Sequence, residues 1–305
     1  MWWYAYYDQE ILDSIKIPQP NIWGPERPAA SAFAPSWKPS HAEIIAYTFI
    51  LAMLFTFLRY LLVKYLLQPF ANKNVIQAGY SKDHVVRFCE SGVRLAFYLP
   101  SSIAIIAIAL QTEYLYMPWK MFYIGELPSM DITWLYYCQI GWYLHQIFCH
   151  LVLDVRKKDF LIMLVHHIAT VLLLWGSWIY GYYRIGLIIL LAHDPCDPFL
   201  ELGKMFNYLN LIVPGIISFI GLVVSWIFFR IFFFSTLLYT GWFEAREIMG
   251  YDAPGFFFFL YLLILLQCMH IYWFVLILRV GCSVWSSKMD TASDFDSREI
   301  KNNKK

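Results

Sequence analysis

The sequence predicts an all-α, polytopic membrane protein with about seven transmembrane helices. Composition points there first: 60% of the 305 residues are hydrophobic, 20% aromatic and only 15% charged, with a mean hydropathy of +0.52, which no ordinary soluble domain matches. Seven stretches are then apolar over the ~20 residues that a helix needs to cross a bilayer. Finally, two of these stretches carry most of the buried-looking ionisable groups, as expected where function is placed inside a membrane. A net charge of +1 leaves no basic excess for a nucleic-acid partner. The six cysteines, Cys89, Cys138, Cys149, Cys196, Cys268 and Cys282, form no C-x-x-C pair and read as packing residues.

Residues 1–41 open with an aromatic cluster and continue proline-rich. They lack the basic and uninterrupted apolar regions of a signal peptide, so no cleavage is expected, and they suit the membrane interface or, equally, a plain irregular tail. The expected spans are Ala42–Leu62, within a first unit 42–67, then Phe88–Leu110, Ile132–Leu153, Phe160–Tyr180, Ile185–Phe206, Leu211–Leu238 and Phe256–Leu278. The second is interrupted by Arg94 and Pro100, and the sixth is overlong with Pro214 and Arg230 inside it. Arg230 reads as an interfacial or helix-packing charge. Lysine and arginine concentrate after spans one, three and seven, so the amino terminus is expected to be luminal and the tail 286–305 cytosolic.

Between His166 and Lys204 lie His166, His167, His193, Asp194, Asp197, Glu201 and Lys204. Leaving such a set unpaired in a bilayer would cost on the order of 10 kcal/mol, so the groups must face one another or a wet cavity. In a helix His193, Asp197 and Glu201 fall at i, i+4 and i+8, forming one polar stripe with Lys204. Adjacent His166 and His167 diverge by about 100°, so at most one points straight at it. The short connector Gly181–Arg184 makes the two helices antiparallel neighbours, with imidazoles and carboxylates at one depth.

The order HHxxTxxL, then Ser177, Arg184 and Gly186, then HDxxDxxLExxK resembles the Lag motif of the ceramide synthases in the TLC superfamily. His166, His167, Thr170, Leu173, Ser177, Arg184, Gly186, His193, Asp194, Asp197, Leu200, Glu201 and Lys204 carry it, and Phe88–Gly92 looks like the start of the same domain. The resemblance implies a TLC-type bundle of six helices over 81–285, in a short form without the homeobox-like insert. Pro195 and Pro198 depart from the usual residues and are expected to kink the helix; Gly181 stands where many members have asparagine.

The resemblance further implies an endoplasmic reticulum protein that joins fatty acyl-CoA to a sphingoid base, with no other cofactor and with homo- or heterodimers among its partners. His166, His167, His193, Asp194 and Asp197 are the expected catalytic set; Arg156, Lys157, Lys158, Arg184, Glu201 and Lys204 are expected to bind substrate. The basic cluster would meet the phosphates of coenzyme A. The family's loop between the last two spans, here Gly241–Gly255, is implicated in acyl-length choice. A protonated amine needs a base, which imidazole supplies; alternatively an imidazole attacks the thioester and is itself acylated. Three other readings compete: a Cys196 thiol nucleophile, histidine-bound iron, for which the H-x-x-H-H box is missing, and a TLC-type protein that binds or moves lipid without catalysis. A proton-coupled transporter would need an internal repeat, which is not found.

Overall fold

A computed structural model of the chain describes residues 41–112, 115, 121–122, 128–155, 159–243, 245, 253 and 255–286. Their regular elements are all helices joined by short turns, with no strand among the described residues. Helix α1 (His41–Leu62) passes through a π turn (Val63–Leu67) into α2 (Gln68–Gln77), well beyond the expected end of the first span. Pro69 is the second residue of α2, directly after the π turn. Then follow α3 (Lys82–Gln111), α4 (Met130–Val152), α5 (Phe160–Ile179), α6 (Tyr183–His193), a 3₁₀ turn (Asp194–Cys196), α7 (Asp197–Tyr208), and α8 (Ile212–Ser225). A second π turn (Trp226–Phe233) leads into α9 (Phe234–Phe243), and α10 (Phe256–Ser286) closes the chain of described elements.

Five of these rods are long and apolar enough to cross a membrane: Ala42–Gln77, Lys82–Gln111, Phe160–Ile179, Ile212–Phe243 and Phe256–Cys282. The other two expected spans differ for physical reasons. Helix α4 buries Gln139, His145 and Gln146 toward its neighbours, which lowers its hydropathy without exposing polarity. The fifth expected span is broken at Asp194–Cys196, because Pro195 and Pro198 cannot donate to the carbonyls one turn back.

Helix α4 packs against α1 and α5, α7 against α3 and α8, and α10 against α5 and α9. One core joins α1, α3, α4, α5 and α6 around Tyr136, Trp178 and Leu187. A second joins α5, α6, the α8–α9 rod and α10 around Cys196, Leu222, Phe234 and Leu266. Polarity is inverted relative to a soluble protein: Phe49, Ile50, Phe57, Ile217 and Val224 are exposed, while Arg87, Glu90, Arg184, Asp194, Glu201 and Arg230 are buried. Lipid on the outside explains the first set, and polar partners inside the bundle hold members of the second: Ser101 and Gln139 on Asp194, Lys204 on Glu201 and Asp197 on Arg230.

The turn between α5 and α6 is sharp, as its length requires. Gly181 has φ 78°, a left-handed conformation open to glycine and tolerated by asparagine. The Tyr182 N–H donates back to the Ser177 carbonyl at 2.7 Å.

Candidate active site

Among the described residues, two cavities border the candidate site. The polar one, about 170 Å³, lies toward the α4–α5 connector and is lined by Arg94, His150, Asp154, Asp159, His166, His167, Asp197, Glu201, Lys204, Arg230 and Trp273, among others. The apolar one, about 100 Å³, extends toward the opposite end, from Tyr143 and His193 to Tyr182, Phe256 and Phe259. Tyr143 of the apolar cavity lies near the histidines of the polar one, its ring 6.4 Å from His166 and 6.0 Å from His167.

Helix α5 carries the histidine pair at its second turn, and the two rings diverge as their spacing requires. His166 turns toward α10, edge-on to Trp273 at 5.3 Å. His167 turns toward α4, 5.6 Å from His150. Both are buried, and Nδ1 of each has no hydrogen-bond partner. Thr170, four residues on, caps the His166 carbonyl within the same helix at 2.8 Å.

The broken helix distributes the remaining expected residues over three surroundings. His193 ends α6; its Nδ1 lies 2.6 Å from the Ile189 carbonyl. A carbonyl can only accept, so Nδ1 carries the proton and Nε2 keeps its lone pair. That Nε2 is buried without a partner. The His193 ring packs against Phe234 at 5.0 Å and His270 at 4.7 Å. Asp194, in the 3₁₀ turn, is fully buried and lines neither cavity; Ser101 Oγ and Gln139 Nε2 donate to its Oδ2 at 2.8 and 2.6 Å. Asp197 opens α7 and accepts from Arg230 Nη2 at 2.8 Å. Lys204 pairs with Glu201 at 3.1 Å.

The single stripe expected from His193, Asp197 and Glu201 is therefore split. The 3₁₀ turn between the two prolines rotates α7 relative to α6, so that His193 lines the apolar cavity while Asp197 and Glu201 line the polar one. Arg184 is buried at the start of α6, beside the Tyr183 ring at 6.0 Å and away from both cavities. Arg156, Lys157 and Lys158 lie outside the described residues, as does most of the Gly241–Gly255 loop. Cys196 is packed in an apolar core and lines neither cavity, an unsuitable position for a nucleophile. Among the described residues, no group of three or more His, Cys, Asp and Glu is placed to hold a metal ion.

Of the two readings of Arg230, interfacial or helix-packing charge, the structure has the second: its guanidinium is buried, donates to the His193 carbonyl at 2.9 Å and to Asp197, and lies 4.3 Å over the Trp226 ring. A lone arginine inside a 32-residue apolar rod was the available signal. Gln139 and Ser101, which hold Asp194, and Asp154, which binds Arg59 and Arg94 at 2.8 and 2.5 Å, gave no such signal.

The TLC domain family profile matches residues 87–279. Ceramide synthase LOH2 of Arabidopsis thaliana is 30% identical over 285 residues, covering 86% of this chain and 93% of the relative. Ceramide synthase 4 of Homo sapiens is 34% identical over 200 residues, or 64% of this chain and 50% of the relative, so the chain spans about half the length of that protein. Ceramide synthase hyl-2 of Caenorhabditis elegans is 27% identical over 236 residues. With its histidine pair, its two aspartates and the match over most of its length, the chain belongs to the TLC domain family, alongside the ceramide synthases.

Proposed function

We propose that the protein is a ceramide synthase, transferring the acyl group of a fatty acyl-CoA to the amino group of a sphingoid base. One observation carries the reading: the α5 histidines share a polar cavity with Asp197, Glu201, Lys204 and Arg230, and Tyr143, which lines an apolar chamber, lies beside both histidine rings. The thioester then sits beside the imidazoles and the acyl tail runs into the chamber. Coenzyme A points toward the α4–α5 connector, where Arg156, Lys157 and Lys158 supply positive charge for its phosphates. The lysine and arginine count supports a cytosolic position for this mouth, and likeness to the ceramide synthases supports the endoplasmic reticulum membrane.

The sphingoid base arrives as an ammonium ion, which cannot attack. Once it has released that proton to water, its nitrogen attacks the carbonyl carbon and gives a second proton to an unpartnered imidazole nitrogen. The C–N bond forms and the C–S bond breaks. The departing thiolate takes the proton back, leaving an amide and free coenzyme A. In the alternative sequence an imidazole nitrogen attacks first and the amine opens the acyl-imidazole.

Membranes containing the protein, given acyl-CoA and sphinganine, are expected to form the amide. His166→Ala, His167→Ala, Asp194→Asn and Asp197→Asn are each expected to lower the rate by ~10² to 10⁴. Label from acyl-CoA retained on denatured protein in the absence of sphinganine, and missing in one histidine variant only, would identify the acyl-imidazole route. Wild-type protein that binds both lipids without forming amide would overturn the catalytic reading, and near-normal rates in all four variants at unchanged protein level would make these residues helix contacts.

A further inference from the structure

The residue that joins the two halves of the site sits where a backbone irregularity places it. The α8–α9 rod is wound as a π helix over Trp226–Phe233, and Arg230 lies within it. Such wide turns recur at functional sites because they reposition one side chain without ending the helix. A guanidinium has five N–H donors in a rigid fork. Nη2 uses its two on the His193 carbonyl and the Asp197 carboxylate, while Nε is buried with no partner at all. The side chain is 5% exposed and lines the polar cavity together with His166 and His167. Asp197 and the Trp226 face hold the cation in place from two sides.

A buried arginine whose only task was to neutralise Asp197 would be expected to spend its fork on that carboxylate, ideally through two parallel bonds. Here Asp197 takes one bond, and a donor remains unused in a place where an unmade hydrogen bond is costly. We infer that Arg230 is a catalytic residue that stabilises the oxyanion formed at the thioester carbonyl. This rests on the acyl-transfer reading above and adds the electrophilic partner that it lacks. As the nucleophilic nitrogen bonds to the carbonyl carbon, the C=O π pair moves onto oxygen, and that negative charge develops beside a fixed cation shielded from water. Collapse returns the pair to the C–O bond as the C–S bond breaks and thiolate leaves. The same oxyanion forms whether the amine or an imidazole attacks, so the role of Arg230 is common to both routes. Preorganised donors of this kind act on the transition state more than on bound substrate.

The test measures kcat and KM per folded molecule, with full-length protein in membranes or detergent. Arg230→Gln is expected to lower kcat by ~10² to 10³ with KM for both substrates little changed, and Arg230→Lys, which keeps charge but loses the fork, to fall between. Arg230→Ala is expected to regain activity when guanidinium is added, because the side-chain cavity can admit the missing group. If Arg230→Gln does not fold, Arg230→Lys and the guanidinium rescue give the answer. A kcat per folded molecule near wild type in Arg230→Gln, or in Arg230→Lys where only that variant folds, overturns the assignment; so does a loss confined to KM or one that guanidinium never restores. Wild-type protein that forms no amide would instead overturn the acyl-transfer reading itself.

Discussion

Asp154, in the connector after α4, shows how single residues hold the polar cavity open. Its carboxylate binds Arg59 of α1 and Arg94 of α3, and Glu90 accepts the neighbouring Val155 N–H at 3.0 Å. Burial alone would raise its pKa, but Arg94 and Arg59 outweigh burial and hold it well below the usual carboxylate range. A folded-state pKa below the unfolded one, ~3.9, contributes stability above that value and loses it as pH falls toward the depressed one. Asp154→Asn leaves two largely buried guanidinium groups unpaired and is expected to cost about 3 to 5 kcal/mol at neutral pH. The check is a melting curve in detergent: the gap between wild type and variant should be full at pH 7 and close on acidification below about pH 4. Residues of this kind explain what was legible in the sequence. His166, His167, Asp197 and Arg230 stand out because charge in an apolar run is expensive, whereas Ser101 and Gln139 are cheap anywhere and only their contact with Asp194 gives them meaning.

At the level of elements, the most informative feature is the break at Asp194–Cys196. Pro195 and Pro198 announced a kink, but the rotation it produces depends on which partners take the freed groups: Ser101 and Gln139 on one side and Arg230 on the other. That is tertiary information, and for the same reason the π turn around Arg230 could not be read from an unbroken apolar run. Helix lengths were legible because hydrophobic thickness sets them, although the α1–α2 rod, the α8–α9 rod and α10 run past the membrane limit assumed for them. The seating of α6 against α4 depends on Gly186. A Cβ there would overlap the Tyr136 hydroxyl, which itself donates to the Tyr183 carbonyl at 3.1 Å. Gly186→Ala is therefore expected to destabilise the fold by about 1 to 3 kcal/mol or more. Adding Tyr136→Phe, which removes the obstructing oxygen, should recover part of the loss. Protein yield and melting temperature of the three variants test this, and an undisturbed single variant would mean that α6 can shift aside at no cost.

For the molecule as a whole, the two cavities give the bundle a polar end and an apolar end, and this polarity must agree with its orientation in the membrane. The polar cavity is bounded by the α4–α5 connector and by α7, with Asp154, Asp159 and Lys204 at its rim. The same connector contains Arg156, Lys157 and Lys158, and further basic residues, Lys288, Arg298, Lys301, Lys304 and Lys305, follow α10. Lysine and arginine near span ends are retained on the cytosolic side, so both criteria assign one face. A water-soluble thioester made in the cytosol can reach the histidines only from that face, while a lipid amine can arrive through the bilayer. The expected outcome is that a carboxyl-terminal tag is cut by protease added to sealed microsomes and an amino-terminal tag is protected. Odd span number is built into this result: five apolar rods, the polar-lined α4 and the broken α6–α7 pair must all cross. Both tags cleaved would mean that one of the last two elements dips into the membrane and returns. Tags with reversed accessibility would put the polar cavity in the lumen, where a cytosolic acyl donor cannot reach it, and the acyl-transfer reading would then need a luminal donor.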